Sequence, residues 1–432
     1  MDELIGFLGL SHLGLVSSVG WASRGHPVLG VDPDREIVDA LAQGRLPVYE
    51  PGLGELLTAS RTSLTFTTDV AALAECALVI LSRDVPTGAD NSSDLSAVER
   101  LVEAAIPHLR PQATFVIMSQ VPPGFTRSVA ARVGQARPGS GLCVYYWAET
   151  LVMGRALDRY LHPERIIVGC ENPRAPLPDL LARVLQVFRC PVFPMRFESA
   201  ELTKTAINLY LSGAVTYANT LADLCEKIGA DWSEVVPALR SDARIGPAAY
   251  LRPSLGVSGG NLERDLVTLS RLAHDARVDA SFIDTIIAYN ARRTGWILEK
   301  LEALVFAEVP TPTIAVWGLA YKKGTLSVKN SPALRVMSSL EGRATLRVYD
   351  PLVRPPESRG EATVVPTRDD ALQGADCLLI MTDAEEFASA DPVTLRRRMR
   401  RPLVIDCAGV LEVQRHRLDG IRYVSMGRGE QA

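Results

Sequence analysis

The chain is poor in the residues that announce a metal site or a disulfide framework. Its seven cysteines (Cys76, Cys143, Cys170, Cys190, Cys225, Cys377 and Cys407) form an odd, scattered set with no C-x-x-C pair. That excludes a disulfide scaffold or zinc ribbon and suits a reducing, cytoplasmic setting. Histidine is scarce, six in 432 residues; none has metal-ligand spacing, and no metal is expected. Neither charge dominates: Lys and Arg number 46 against 50 Asp and Glu, a net −4. No basic excess points to a nucleic-acid partner or a membrane surface. No apolar run approaches the ~18 residues a membrane span needs. Met1-Asp2-Glu3 lacks the positive start of a secretory leader. Gly (32) and Pro (28) are ordinary for this length, which excludes collagen-like and low-complexity classes. What remains is an ordinary soluble composition, 47% apolar and 22% charged. At ~150 residues per domain the length allows roughly three units.

The first 120 residues alternate short apolar runs with helical patterns. Ile5–Gly9, Val28–Asp32, Ala77–Leu81 and Thr114–Met118 read as buried strands, with helical stretches at about Leu13–Arg24 and Leu95–Leu109. This alternation predicts a parallel sheet wound on both faces, extended by Val144 and Arg165–Gly169. The middle differs. From Glu198 to Gly229 there is no proline, and Leu202, Ala206, Leu209, Val215, Leu221 and Leu224 recur at helical spacing. A helix of ~30 residues is long for one domain and reads as a connector and subunit interface. A second helical stretch is expected from Phe282 to Phe306, then a Pro-marked linker at 308–313, then a second α/β unit. The fold class is therefore α/β: two Rossmann-like doubly wound domains joined by a long central helix and a helical dimerisation domain. The boundaries are 1–197, 198–307 and 308–432.

A dinucleotide site needs a strand, a tight glycine turn, a helix whose N-terminus faces the diphosphate, and an acid about 20 residues on for the ribose. Gly9-Leu10-Ser11-His12-Leu13-Gly14 lies between strand and helix, and Asp32 ends the next strand. Ser11 stands where the second glycine is usual; it is small and can itself hydrogen-bond phosphate. An acid at Asp32 repels a 2′-phosphate, so NAD is favoured over NADP.

The residues beyond carry a more specific signal. Gly44-Arg45-Leu46-Pro47-Val48-Tyr49-Glu50-Pro51-Gly52-Leu53, Ser119 to Gly124, Glu149 to Gly154, Glu201-Leu202-Thr203-Lys204 with Asn208, and Arg244-Ile245-Gly246 follow in order. Gly318-Leu319-Ala320-Tyr321-Lys322, Ser331-Pro332-Ala333 and Tyr349-Asp350-Pro351 complete the series. This resembles the nucleotide-sugar 6-dehydrogenase family (UDP-glucose and GDP-mannose dehydrogenases) along essentially the whole chain. The resemblance implies an N-terminal NAD-binding domain, a central helical dimerisation domain, and a C-terminal domain that helps bind the nucleotide sugar. Such enzymes oxidise a primary alcohol at C6 to a carboxylate in two NAD-dependent steps through a cysteine thioester.

Residue by residue, the resemblance assigns Gly9, Ser11, His12, Leu13, Asp32, Arg35, Gln120 and Lys329 to the cofactor. It assigns Glu149, Leu151, Met153, Arg244, Gly256, Gly259, Tyr321 and Lys322 to the substrate. Lys204, Asn208 and Asp265 match positions that hold the reacting oxygen and move its proton; Lys204 and Asn208, four residues apart, project from one helix face. A homodimer through the long helix is implied.

The cysteine is missing. The family's loop reads G-x-G-G-x-C-x-x-K-D; here Gly256-Val257-Ser258-Gly259-Gly260-Asn261-Leu262-Glu263-Arg264-Asp265 puts Asn261 in the cysteine slot. Other departures lie nearby: Gln120, Trp147, Ala148, Thr150, Met153 and Ser258, with Leu326, Ser327 and Lys329 near the C-terminal motifs. A carboxamide is no nucleophile and cannot form a thioester. The other cysteines read as small buried hydrophobes. Hydride transfer is kept and acid formation lost. A secondary alcohol fits best, because its ketone has no second hydride to give. A higher-carbon nucleotide sugar would supply one, such as the nucleotide-activated octose of lincosamide-type antibiotic pathways. The alternatives are oxidation of a primary C6 alcohol to the aldehyde or acid, a hydride-returning epimerase, and a non-catalytic nucleotide-sugar binder.

Overall fold

Runs of apolar residues short enough for strands, each closed by a turn, build two separate sheets. The computed structural model describes residues 3–354 and 362–429. The chain packs as two compact units, Met1–Ile207 and Asn208–Ala432.

In the first unit the strands are β1 (Ile5–Leu8), β2 (Val28–Val31), β3 (Leu64–Thr67), β4 (Leu78–Leu81), β5 (Thr114–Ile117), β6 (Cys143–Ala148), β7 (Ile166–Cys170) and β8 (Val192–Arg196). Their order is β3-β2-β1-β4-β5-β6-β7-β8. The order reverses beside β1, which pairs in parallel with both β2 and β4. Ligands of doubly wound sheets bind at that reversal, outside the carboxyl ends of the strands. β1, β2, β4 and β5 are buried along their full length, covered on both faces. Helix His12–Ala22 follows β1 and is buried at every residue from Leu13 to Ala22.

The expectation of a wholly parallel sheet fails at one place. β6 and β7 run antiparallel, with Ala148 opposite Ile167. Strand direction left no trace in the sequence, because a strand buried on both faces reads as the same apolar run either way. These two strands are bridged by a segment containing only a six-residue helix, Ala156–Leu161.

A 32-residue helix, Phe197–Ile228, leaves β8 and continues into the second unit, about 48 Å at 1.5 Å per residue. The second unit adds helices Trp232–Ser241 and Asn261–Asp275. The continuous helix expected over 282–306 is divided: Ser281–Arg292, then Gly295–Leu301, then a wide turn over Glu302–Phe306. Arg293, at the division, is drawn inward. Its Nε donates to the Ser254 carbonyl at 2.9 Å and its Nη1 pairs with Asp223 at 2.7 Å.

The sheet of this unit consists of β9 (Thr313–Trp317), β10 (Thr345–Tyr349), β11 (Ala362–Val364), β12 (Cys377–Ile380), β13 (Leu403–Asp406) and β14 (Arg422–Ser425). It is ordered β11-β10-β9-β12-β13-β14 and all its pairings are parallel. Among the described residues no helix is long and apolar enough to cross a membrane.

Candidate active site

The nucleotide turn begins where β1 ends. Gly9 has φ +89°, and a Cβ there would lie 2.9 Å from the Cβ of Arg83. A Cβ on Gly14 would lie 1.9 Å from the Gly9 carbonyl oxygen. Only glycine fits at either position, so strand, turn and helix can close together with the backbone bare toward a ligand. Asp32 directly follows β2 and is buried; its carboxylate accepts the Leu10 amide at 2.7 Å and the Asp34 amide at 3.0 Å. The Arg83 guanidinium lies 3.5 Å from the same carboxylate. A buried acid beside a glycine turn and a helix N-terminus is a donor and acceptor set that fits NAD: amides for the diphosphate, a carboxylate for the ribose hydroxyls.

His12, in the first turn of that helix, reaches a residue that the sequence motifs include but assign no role, Glu50. Its Nε2 lies 2.9 Å from Glu50 Oε2. Glu50 also accepts the Gly154 amide at 3.0 Å and the Ala156 amide at 2.7 Å. One buried carboxylate thus ties the nucleotide turn to the loop that follows β6. That loop carries Glu149, Leu151 and Met153. Glu149 pairs with Lys204 at 3.0 Å and accepts the Leu151 amide at 2.7 Å. Both partners of the ion pair are largely buried, so each charge holds the other in position. Leu151 packs against the hydrophobic core, whereas Met153 is exposed.

Glu201, three residues before Lys204, anchors the turn beyond Gln120. Its fully buried carboxylate accepts the amides of Gly124 at 2.6 Å and Thr126 at 2.8 Å. Burial pushes this carboxyl above its usual range, and the two amides oppose that shift. Gln120 is buried at that turn. Arg35 stands apart, exposed at the start of helix Arg35–Ala42, 3.6 Å from Asp39.

In the second unit Asn208 and Asp265 meet: the Asn208 amide donates to Asp265 Oδ2 at 2.5 Å, with both residues buried. Asp265 lies in helix Asn261–Asp275. The loop before that helix turns through Gly256, Gly259 and Gly260, each with φ +93°. A Cβ on Gly259 would lie 2.4 Å from the Tyr321 ring, so the ring rests directly on the loop backbone. Burial pushes the Tyr321 hydroxyl up to about 12. The Gly256 neighbourhood is fixed by Asn290, which accepts the Val257 amide at 2.8 Å and donates to its carbonyl at 3.0 Å. Lys329 joins the same loop through its backbone, its carbonyl accepting the Gly259 amide at 3.1 Å. Lys322 lies over the Tyr321 ring, 5.6 Å from its centroid. Glu263 accepts from Gly260, Asn330 and Arg335 and joins loop, helix and C-terminal domain. Asn261 is exposed in the first turn of its helix. Arg244 stands apart, its exposed guanidinium paired with Asp242 at 2.7 Å.

No cysteine is set up as a nucleophile among the described residues. Burial pushes the Cys76 thiol up to about 12 and also raises Cys170, Cys190, Cys225, Cys377 and Cys407. A raised thiol is a poorer source of thiolate. Cys225 packs with Ala218, Ala222 and Trp232. Cys143 is exposed at the start of β6.

Three segments of the chain match models of one family: residues 3–189 the NAD binding domain, 198–292 the central domain and 315–413 the UDP binding domain of the UDP-glucose/GDP-mannose dehydrogenases. A UDP-glucose 6-dehydrogenase of Rhizobium meliloti (strain 1021) is 30% identical over 98% of this chain and 99% of its own length. The chain belongs to the UDP-glucose/GDP-mannose dehydrogenase family. It is an oxidoreductase, an NAD-dependent nucleotide-sugar dehydrogenase. Solved structures agree. A UDP-glucose dehydrogenase from Pyrobaculum islandicum superposes with a TM-score of 0.86 at 26% identity, covering 99% of this chain and 98% of that one. The UDP-D-ManNAc dehydrogenase from Pyrococcus horikoshii gives 0.85 at 26% identity, covering 99% and 100%. In this family setting the Gly9 turn with Asp32 belongs to the NAD-binding domain, and the Tyr321 region to the UDP-binding domain.

Proposed function

We propose that this chain removes a single pair of electrons from a nucleotide-activated sugar and then releases the carbonyl product. The observation that carries this reading is Asn261. It is an exposed carboxamide at the loop position where the family resemblance puts a thiol. A thioester needs an activated sulfur, and six of the seven thiols are held toward their protonated form by burial.

NAD, when bound, supplies the acceptor for the hydride. Asp265 takes the hydroxyl proton, its carboxylate held by the Asn208 amide. Lys204, aimed by its ion pair with Glu149, stabilises the negative charge that develops on the substrate oxygen. One C–H and one O–H bond break and one C=O bond forms. A ketone carbon has no hydrogen left to give, so a secondary alcohol makes the reaction stop by itself. A primary alcohol would leave a reactive aldehyde. The substrate is therefore a nucleotide sugar with carbons beyond the oxidised position, and its ketone is suited to later amination.

The test is stoichiometric. Purified protein is incubated with NAD and candidate nucleotide sugars, and NADH is counted per product by mass spectrometry. One NADH per sugar, with a product two mass units lighter, is expected. Two NADH and a carboxylate would overturn the reading. Copurifying cofactor with no net NADH would instead indicate hydride return.

The assembly follows from the long helix. Tyr210, Tyr217 and Leu224 recur every seven residues on it and are exposed, with Ile228 beyond. Such a seam pairs helices, and we infer a cytoplasmic homodimer.

A further inference from the structure

The first turn of helix His12–Ala22 carries amides with no partner inside the helix, and the helix dipole makes that end positive. Ser11, at the N-cap position, makes no side-chain cap. The cap comes from another loop. Asp84, in the loop after β4, accepts the Leu13 amide on its Oδ2 at 3.0 Å, and Ser11 Oγ accepts the Asp84 amide at 2.7 Å. The preceding residue, Arg83, lies against Gly9 and places its guanidinium 3.5 Å from Asp32. Two consecutive side chains of one loop thus address both features that a dinucleotide uses. A carboxylate sits on the helix amide that would face the diphosphate. A cation sits on the acid that would hold the ribose.

We propose that Arg83-Asp84 is an internal competitor for the cofactor and sets its affinity. A carboxylate and a diphosphate cannot share the Leu13 amide, and two anions at one helix end repel each other. Asp84 must therefore swing away when NAD enters. It is exposed and on a loop, so little packing opposes that movement. Part of the cofactor's binding energy is spent displacing it. The inference uses only the family's NAD requirement and is independent of how many electrons the enzyme removes.

Isothermal titration calorimetry on the full chain tests it, with NAD, ADP and adenosine as ligands and no turnover needed. Asp84→Asn keeps an oxygen to accept the Leu13 amide and removes only the charge. Asp84→Ala removes both. Both variants are expected to bind NAD and ADP about two- to fivefold more tightly, from the usual strength of an anion at a helix N-terminus. Adenosine, with no phosphate, should gain little. Unchanged or weaker NAD binding in the Asn variant, with melting temperature preserved, would overturn the proposal. So would an equal gain for adenosine.

Discussion

Glu50 is the residue whose removal should propagate furthest through the first unit. Its side chain is 1% exposed, and its two oxygens serve different partners. Oε1 accepts the Ala156 amide, while Oε2 accepts the Gly154 amide and faces His12. Glu50→Gln keeps shape and volume but offers one oxygen and one NH2. Whichever way the new amide turns, one buried backbone N–H faces another donor. An unsatisfied buried donor costs about 1–3 kcal/mol, and weakening the remaining charge-assisted bonds adds about another 1 kcal/mol. For a unit of this size each kcal/mol lowers the melting temperature by about 2–4 °C. The variant should therefore melt roughly 4–16 °C lower by scanning calorimetry. Its kcat should fall as well, because the loop it releases carries Glu149, the partner of Lys204. Glu55→Gln, exposed on the neighbouring helix, is the control and should stay within about 0.5 kcal/mol of the parent. If Glu50→Gln melts within 1 °C of the parent, the carboxylate does not bind the turn to the loop as argued.

Other expectations concern the chemistry. Lys204→Met should lower kcat by about 10²–10³-fold, the usual loss of one group stabilising a developing oxyanion, while calorimetric NAD binding stays unchanged. A matching loss of NAD affinity would move Lys204 out of the reaction. In the native protein at pH 8, a chromogenic disulfide should modify exposed Cys143 rapidly, and Cys76, Cys377 and Cys407 only after denaturation. Asn261→Cys should add one rapidly reacting thiol; a slow one would mean the position is shielded. Gly259→Ala forces a side chain into positive φ and onto the Tyr321 ring. It should destabilise the second unit by at least about 1–2 kcal/mol, read as a lower denaturation midpoint, and an unshifted midpoint would show that the ring yields freely.

What the sequence displayed and what it hid divide along the range of the interactions. The Gly9 turn was legible because no other residue fits there, and Lys204 and Asn208 because one helix sets their spacing. Glu50 appeared only within the Gly44–Leu53 motif and without a role, because its amide partners lie 104 and 106 positions away. Glu201 appeared only as part of a motif; its role depends on amides 75 and 77 positions off. Helix Asn261–Asp275 begins after two glycines at positive φ, which look like loop residues in sequence. Arg83 and Asp84 belong to none of the motifs read from the sequence. Only the fold lays them across the nucleotide turn.

The two sheets also explain why a dinucleotide is served by only one of them. In each, a glycine at positive φ follows the first strand, Gly9 and Gly318, and an aspartate follows the adjacent strand, Asp32 and Asp350. The next amide donates to that aspartate in both cases, Leu10 to Asp32 and Leu319 to Asp350, each at 2.7 Å. From there the two diverge. Asp350 accepts three more backbone amides, from Ala320, Leu352 and Val353, and four donors occupy nearly all the acceptor sites of a carboxylate. Asp32 accepts one more amide, from Asp34, and otherwise meets the Arg83 side chain. A side chain on a loop can leave, whereas four backbone amides cannot. Capacity to hold ribose hydroxyls is thus kept at Asp32 and used up at Asp350. The helix after β1 starts within three residues of its glycine, whereas the helix after β9 starts only at Pro332. Gly318 therefore has no adjacent helix end to offer a diphosphate, and the second sheet is left to serve the sugar nucleotide by other contacts.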